Sequence, residues 1–214
     1  KAENHAGVMT SEPAPRTFAY RGEAVEHPLV YIPVFPGTNC DYDTAKAFRK
    51  AGAEVEMSVL CNLGGDDILR SIREMKEHIR RAHIFVLSGG FSSGDEPDGS
   101  AKFIVNVLNN KDIRDEIHAL LDRGGLILGI CNGFQALVKL GLVPFGDIRP
   151  MDADCATLTF NNIGRHQSTL VRTRVASTMS PWMSRMEVGE MHTVAISHGE
   201  GRFVAPPALL DSMI

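Results

Sequence analysis

The sequence predicts an α/β fold, with a mostly parallel sheet, helices on both faces and a C-terminal antiparallel extension. Strand-like apolar runs alternate with amphipathic helical segments four times before Cys131, a pattern typical of parallel sheets joined by crossover helices. After Gly141 and Pro144 the helical spacing gives way to short, strand-like segments, which predict antiparallel pairing.

The chain has 214 residues, of which 43% are hydrophobic, enough to build the sizeable core of one domain. Residues 1–28 contain Pro13, Pro15 and Pro28 with scattered charges and little periodicity, as expected for a linker or tail. We therefore expect the folded domain to occupy residues 29–214.

The first strand is predicted over Leu29–Phe35, although Pro33 cannot donate to a sheet ladder and should make this strand irregular. Asp41 or Asp43 is positioned to cap the following helix, and Gly52 ends it. The apolar side of this helix consists of Ala45, Phe48 and Ala51.

The second strand is predicted over Glu54–Leu60, where alternating apolar residues are typical of a strand at or near an edge. Asp66 is the predicted cap of the next helix. The buried stripe of that helix should consist of Ile68, Ile72, Met75 and Ile79, which recur at helical spacing.

The third strand is predicted over Ile84–Leu87, and a fourth over Leu126–Ile130, whose unbroken apolar run indicates burial on both faces. Helices are predicted between them from about Ser100 to Asn109 and from Asp112 to Asp122. The antiparallel segments are predicted at Ala156–Phe160, Ser168–Val175, His192–Ser197 and Gly201–Val204, before at most a short helix from Pro206-Pro207.

A single cysteine lies where the fourth strand turns into a helix. Gly129-x-Cys131-x-Gly133 is the cysteine form of a nucleophile elbow, in which glycines permit a turn that exposes the middle side chain. The N-terminus of the helix favours the thiolate. A buried cysteine at an ordinary turn is the alternative interpretation of this segment taken alone.

A glycine-rich loop, Ser88-Gly89-Gly90-Phe91-Ser92-Ser93-Gly94-Asp95, follows the third strand. The chain contains neither G-x-x-x-x-G-K-[ST] nor a G-x-G-x-x-G that opens a helix, so a nucleotide site in this domain is not predicted. Two adjacent glycines can instead aim a backbone N–H at a neighbouring oxyanion. Because active sites of parallel sheets lie at the carboxyl ends of strands, we expect this loop to meet the elbow.

His198-Gly199-Glu200 supplies a histidine and a carboxylate two residues apart. Side chains at i and i+2 of an extended segment share a face, so Glu200 can reach the ring nitrogen that is turned away from the sulfur. A cysteine nucleophile needs such a base and such an orienting group.

The composition excludes several other classes of function. The chain has 22 basic and 26 acidic residues, which gives no general attraction for nucleic acid or anionic membranes. The first residues lack the apolar core of a signal peptide, and no apolar run reaches the length of a membrane span. The four cysteines and eight histidines form no metal-ligand pattern. We expect a cytoplasmic protein with reduced thiols and no metal site.

The elbow, the glycine-rich loop and the histidine segment occur here in a recognisable order and spacing. Gly129-Ile130-Cys131-Asn132-Gly133-Phe134-Gln135, Ser88 to Asp95 and His198-Gly199-Glu200-Gly201-Arg202-Phe203 together resemble class I, or triad-type, glutamine amidotransferases. Within that family they are most similar to the glutaminase domains of phosphoribosylformylglycinamidine synthases. Many relatives have proline where this chain has Phe91 and Gly199.

The resemblance implies a class I glutamine amidotransferase-like fold and a set of site residues. Cys131 would attack the side-chain amide of L-glutamine, His198 would protonate the ammonia and Glu200 would orient His198. The N–H groups of Gly90 and Asn132 would form the oxyanion hole. The implied substrate-binding residues are Gln135, Phe91, Asn161, Asn162 and Arg165.

The resemblance also implies a synthetase domain or subunit that receives the ammonia for purine biosynthesis, with ATP and magnesium bound by that portion and no cofactor in this domain. The non-methionine start leads us to expect both parts on one polypeptide. The family domain continues beyond the His-Gly-Glu segment, so we expect this chain to be truncated at its C-terminus. Two alternatives stay open: another cysteine hydrolase on a similar sheet, peptidase-like or glyoxalase-like, and a non-catalytic scaffold.

Overall fold

The structure, a computed structural model, describes residues 25–94 and 101–213. The predicted linker lies outside the described residues up to position 24, as does the predicted helix start at Ser100. The helices and strands in chain order are β1 Leu29–Val34, α1 Asp41–Lys50, β2 Glu54–Val59, α2 Gly65–Arg81, β3 Ile84–Leu87, α3 Lys102–Leu108, α4 Lys111–Asp122, β4 Leu126–Gly129, α5 Asn132–Leu140, α6 Leu142–Phe145, β5 Thr157–Thr159, β6 Gln167–Arg174, β7 Met191–His198, β8 Arg202–Val204 and α7 Pro207–Met213.

The central sheet has four parallel strands in the order β2-β1-β3-β4, which confirms the predicted fold class. Pro33 lies in β1, opposite Ser58 of β2. On its other side β1 pairs with β3 only at Val30 and Tyr31. Pro33 therefore lies beyond the end of the β1–β3 ladder, where its missing N–H removes no bond to β3.

Helices cover both faces of this sheet, as the alternating pattern predicts. One face packs against α2, α3, α4 and α5 in a large cluster around Tyr31, Phe85 and Leu87. The opposite face packs against α1, where Ala45 and Phe48 meet Val86 and its neighbours. The paired strands β3 and β4 end side by side in this packed sheet. The glycine-rich loop, which follows β3, therefore lies next to the elbow, which follows β4.

The strand β4 differs from its prediction, because all four of its residues are half-buried rather than buried on both faces. Its position at the edge of the four-stranded sheet explains this difference. Trp182 lies beside the strand and donates from Nε1 to the carbonyl oxygen of Ile127 at 3.2 Å. This contact satisfies an acceptor of the kind that edge strands leave unpaired.

The predicted antiparallel strands form two ladders of their own, β5 with β8 and β6 with β7. The β5–β8 ladder joins α5 through a small core of Val138, Ala156 and Leu158, with Phe203 packed against it. His198 ends β7 opposite Gln167 at the start of β6. These contacts place the turn after β7 beside the helix that follows the elbow.

The predicted helix caps are wrong at both sites. Cys40, with φ of 62°, precedes α1, and Gly64 precedes α2, while Asp41, Asp43 and Asp66 lie inside the first turns. Acidic residues there still favour the helix through its dipole. Two predicted apolar positions are solvent-exposed: Ala51 follows the end of α1, and Ile68 in the first turn of α2 is 37% exposed.

Candidate active site

The elbow is a strained turn between β4 and α5. Cys131 has φ of 52° and ψ of −109°, a conformation that a residue with a side chain adopts only when its surroundings enforce it. A Cβ at Gly133 would overlap the carbonyl group of Leu87, and one at Gly129 would lie 2.6 Å from Leu137. The two glycines therefore let the turn pack against β3 and α5, and the Cys131 side chain is exposed.

The loop after β3 packs directly on this elbow. A Cβ at Gly89 would lie 3.2 Å from that of Cys131. Gly90, with φ of 142°, forms an antiparallel bridge with Thr38, and a Cβ there would overlap the Gly37 carbonyl. Only glycine fits at position 90, and the bridge to Thr38 fixes the position of the loop. A fixed loop is what the expected role of the Gly90 N–H in the oxyanion hole requires.

A chain of side-chain hydrogen bonds joins the three motifs. The Ser92 N–H donates to Oδ1 of Asn132 at 3.2 Å, and Asn132 Nδ2 donates to Gln135 Oε1 at 2.9 Å. Gln135 Nε2 then donates to the carbonyl oxygen of Glu200 at 3.2 Å. Asn132 and Gln135 are both buried, and amides of this kind must be satisfied when desolvated. The chain therefore fixes the loop, the elbow and the histidine segment relative to one another.

The elbow and the histidine segment line a cavity of about 320 Å³, together with residues of β5 and β7. Its polar side carries Cys131, His198, Glu200 and Gln135. Apolar side chains complete the wall, among them Phe134, Leu158 and Ile196. An open cavity with one nucleophile, a few polar groups and apolar walls suits a small ligand that has an aliphatic part and a polar end.

The imidazole of His198 bonds to a residue outside the predicted triad. Its Nδ1 lies 3.0 Å from Oδ1 of Asn161, a neutral amide in the turn after β5. A Cβ at Gly201 would overlap the same ring. The predicted orienting group, Glu200, lies in the cavity wall, but the observed partner of Nδ1 is Asn161.

A second cavity of about 290 Å³ adjoins the first and shares Glu200 with it. Phe91 and Arg165, two predicted substrate contacts, line this cavity together with Phe160 and His166. Asn162 is exposed and lines neither cavity. The structure therefore brings Gln135, Phe91 and Arg165 to the two cavities, places Asn161 behind His198 and leaves Asn162 outside.

Sequence reasoning places Asn161 near the substrate but misses its contact with His198. Thirty-seven residues separate the two in the chain, and no local motif pairs an amide at the end of one strand with a histidine at the end of another. The side-chain roles of Asn132 and Gln135 as a bridge between motifs are missed for the same reason. Only the tertiary pairing of β5 with β8 and of β6 with β7 reveals them.

Within residues 25–94 and 101–213 the His, Cys, Asp and Glu side chains form no group of three or more that could hold a metal ion. None of the helices in the same ranges combines the length and apolar character needed to cross a membrane.

Comparison with known proteins adds a family match. The model of the CobB/CobQ-like glutamine amidotransferase domain matches residues 27–214. Phosphoribosylformylglycinamidine synthase subunit PurQ of Dehalococcoides mccartyi is 33% identical over 83% of this chain and 64% of its own length. The same-named subunit of Mycobacterium tuberculosis is 36% identical over 85% of this chain and 68% of its own length.

A solved structure shows the same likeness. The structure of PurLQS from Thermotoga maritima superposes on 84% of this chain and 70% of its own with a TM-score of 0.62 and 28% sequence identity. The chain spans about two thirds of the length of the curated relatives it matches.

Proposed function

We propose, from the premise that this chain belongs to the family of CobB/CobQ-like glutamine amidotransferase domains, that it is the glutaminase part of a phosphoribosylformylglycinamidine synthase. The observation that carries the proposal is the hydrogen-bond chain from Ser92 through Asn132 and Gln135 to Glu200. It ties the three sequence motifs to one another, and two of them line a cavity that contains an exposed cysteine on a strained turn. The similarity to relatives named PurQ supports the assignment to this particular glutamine-dependent enzyme.

The proposed chemistry begins at Cys131. The thiolate attacks the side-chain amide carbon of L-glutamine, forming a carbon–sulfur bond while the carbonyl oxygen becomes an oxyanion. Collapse of this intermediate breaks the carbon–nitrogen bond, and the nitrogen leaves as ammonia after taking a proton. Water then attacks the thioester, so glutamate leaves and the thiolate is restored.

Backbone geometry supports the proposed oxyanion hole. The N–H of Gly90 comes from the loop that packs on the elbow, and the N–H of Asn132 directly follows the elbow cysteine. Fixed donors of this kind stabilise charge that develops in the transition state. Asn132 begins α5, where the helix dipole adds to the effect.

The proposed acid–base group is His198, since it is the histidine that lines the cavity of Cys131. In this role it protonates the departing ammonia and then activates the water. Glu200, two residues on, lines the same cavity and completes the proposed set of Cys131, His198 and Glu200. Replacing His198 with asparagine tests this role: glutamine hydrolysis should fall by about 10²–10⁴-fold, and retained hydrolysis would assign the proton transfer to another group.

Substrate contacts are proposed along both cavities. The apolar walls of the first cavity suit the methylene groups of glutamine, with Gln135 close to the reacting end. We assign the amino-acid end of glutamine to Phe91 and Arg165, which line the adjoining cavity, because the Arg165 guanidinium can pair with the substrate carboxylate.

The proposed partner is a synthetase domain or subunit that uses the ammonia to amidate formylglycinamide ribonucleotide. ATP and magnesium would act in that partner, and the domain described here would need neither. The PurLQS structure, to which this chain is similar, supports an assembly of this type.

Replacing the nucleophile in the complete synthase tests the proposal. Cys131→Ala should abolish glutamine-dependent synthesis and leave ammonia-dependent synthesis intact, because ammonia bypasses the thioester. Cys61→Ala, at a half-buried cysteine outside the cavity, is the matched control and should retain both activities. Loss of both activities in the Cys131 variant, or of neither, would reject the role.

A glutamine analogue with an electrophilic carbon in place of the amide separates this function from the alternatives. It should label Cys131, and excess glutamine should protect the thiol. A cysteine hydrolase for another substrate, or a scaffold, would show no glutamine protection.

A further inference from the structure

Asn161 makes an unusually complete set of hydrogen bonds to the turn that contains His198. Its backbone N–H donates to the Gly199 carbonyl at 2.8 Å. Its side-chain Nδ2 donates to the carbonyl oxygens of His198 at 2.9 Å and of Arg165 at 3.1 Å. Its Oδ1 accepts from the Gly201 N–H at 3.2 Å and lies 3.0 Å from Nδ1 of His198.

These contacts fix which end of the amide is the oxygen. A backbone N–H can only donate, so the atom facing Gly201 must be the acceptor Oδ1. Carbonyl oxygens can only accept, so the atom facing His198 and Arg165 must be the donor Nδ2. A rotation of the amide by 180° would set donor against donor and acceptor against acceptor at the same positions.

The orientation of the amide in turn fixes the proton on the imidazole. Because Oδ1 of Asn161 cannot donate, Nδ1 of His198 must carry the hydrogen that bonds to it. In the neutral ring Nε2 then carries the lone pair. Nε2 is therefore the atom that the imidazole offers to a proton donor in the cavity of Cys131.

We infer that Asn161 is a positioning residue that holds His198 in the tautomer with hydrogen on Nδ1. The acceptor at Nδ1 is the neutral amide oxygen of Asn161, which acts on the tautomer as the orienting group of a catalytic triad does. The inference about catalysis rests on the proposed glutaminase function, whereas the tautomer itself is a property of the protein without substrate.

The same five contacts explain how one residue can position the whole turn. Asn161 bonds to His198, Gly199 and Gly201, and Arg165 is fixed through its carbonyl. Glu200, between these anchors, is held by Gln135 from the other side. The turn is thus fixed between β5 and α5, and the imidazole cannot rotate without breaking its bond to Asn161.

Nitrogen-15 NMR of the purified full chain with labelled histidine tests the tautomer directly. The two ring nitrogens have different shifts when protonated and unprotonated, and His198→Gln identifies the signal among the eight histidines. We expect the neutral ring of His198 to carry its hydrogen on Nδ1. Asn161→Leu, which keeps the size but removes the acceptor, should redistribute the hydrogen between the two nitrogens.

Two further variants separate positioning from general structure. Asn161→Asp retains an acceptor for Nδ1 and should keep the hydrogen there, although it loses the two bonds from Nδ2. Asn62→Leu, at an exposed amide after β2, is the matched control and should leave the imidazole signals of His198 unchanged. A wild-type ring with hydrogen on Nε2, or an Asn161→Leu ring identical to wild type, would overturn the inference.

Kinetics in the complete synthase supply the functional test. Asn161→Leu should lower kcat for glutamine by about 10²-fold, the usual effect of misplacing a catalytic group by about 1 Å, with a smaller change in KM and with ammonia-dependent synthesis retained. If the tautomer changes in Asn161→Leu but kcat does not, the effect of Asn161 on catalysis is rejected and its effect on the tautomer stands. Failure of Cys131→Ala to affect glutamine use would reject the proposed function while the tautomer result stands.

Discussion

The side-chain amide of Gln135 donates to the backbone carbonyl of Glu200 at 3.2 Å across 65 residues of sequence. This bond joins the helix that follows the nucleophile elbow to the turn that carries His198. The Gln135 side chain is buried, and its Oε1 accepts a hydrogen bond from Nδ2 of Asn132. The geometry of the cavity therefore depends on a buried polar bridge, and such bridges are costly when broken in part.

Replacing Gln135 with methionine should destabilise the protein. The change keeps the length of the side chain but leaves the Asn132 amide and the Glu200 carbonyl without this partner, and an unsatisfied buried polar group costs about 1–3 kcal/mol. Urea unfolding followed by circular dichroism measures the loss. Gln167→Met, at an exposed position of β6, should change the free energy of unfolding by less than about 0.5 kcal/mol. Equal values for the two variants would contradict the bridge.

The sequence predicts the order of the elements well and the local details less well. The parallel strands and the antiparallel segments were predicted to within a few residues because apolar periodicity is a local signal. The caps at Cys40 and Gly64 were not predicted, because a left-handed or extended residue can precede a helix without a side-chain cap. The burial of β4 was overestimated because its edge position depends on the sheet order.

In the candidate site, too, the sequence reveals the local motifs but not the contacts between distant segments. The motifs around Cys131, Gly90 and His198 can be recognised because their chemistry depends on residues close together in sequence. The contact of Asn161 with His198 could not be predicted, since it arises only when β5 and β7 end near each other.

Lowering the pH should weaken a salt-bridge cluster between β2 and α2. Burial raises the pKa of Glu56, but hydrogen bonds from His78 at 2.7 Å and Arg81 at 2.6 Å outweigh it and hold the pKa below its usual value of about 4.3. Because the folded state favours the carboxylate, the resulting stability is present above about pH 4.3 and is lost as the pH falls through the folded-state pKa. The difference in free energy of unfolding between wild type and Glu56→Gln should therefore shrink below about pH 4.3.

Urea titrations at several pH values check this expectation. Glu54→Gln, an exposed position on the same strand, serves as the control and should differ from wild type by less than about 0.5 kcal/mol throughout. If the difference in free energy of unfolding between wild type and Glu56→Gln grew as the pH fell, the ionised Glu56 carboxylate would not be the stabilising form.

Adding a methyl group at Gly133 should destabilise the elbow. The new Cβ would overlap the backbone carbonyl of Leu87 in β3, and a strand backbone cannot move aside as a flexible side chain can. Overpacking of this kind costs about 1–3 kcal/mol. Gly65→Ala is the matched control, because no atom lies within 4 Å of its added methyl group at the start of α2. Gly65→Ala should stabilise the protein by up to about 1 kcal/mol. Thermal unfolding measures both variants: the melting temperature should fall in Gly133→Ala and rise in Gly65→Ala.

Gly199 and Gly201, on either side of Glu200, should respond differently to alanine. A Cβ at Gly201 would overlap the imidazole of His198, whereas one at Gly199 would meet no atom within 4 Å. The ring cannot move aside without breaking the bond between Nδ1 and Asn161. Gly201→Ala should therefore lower the rate of glutamine-dependent synthesis by about 10²-fold and spare ammonia-dependent synthesis, while Gly199→Ala should retain most of both rates. Equal losses in the two variants would show that the position of the His198 ring does not limit the reaction.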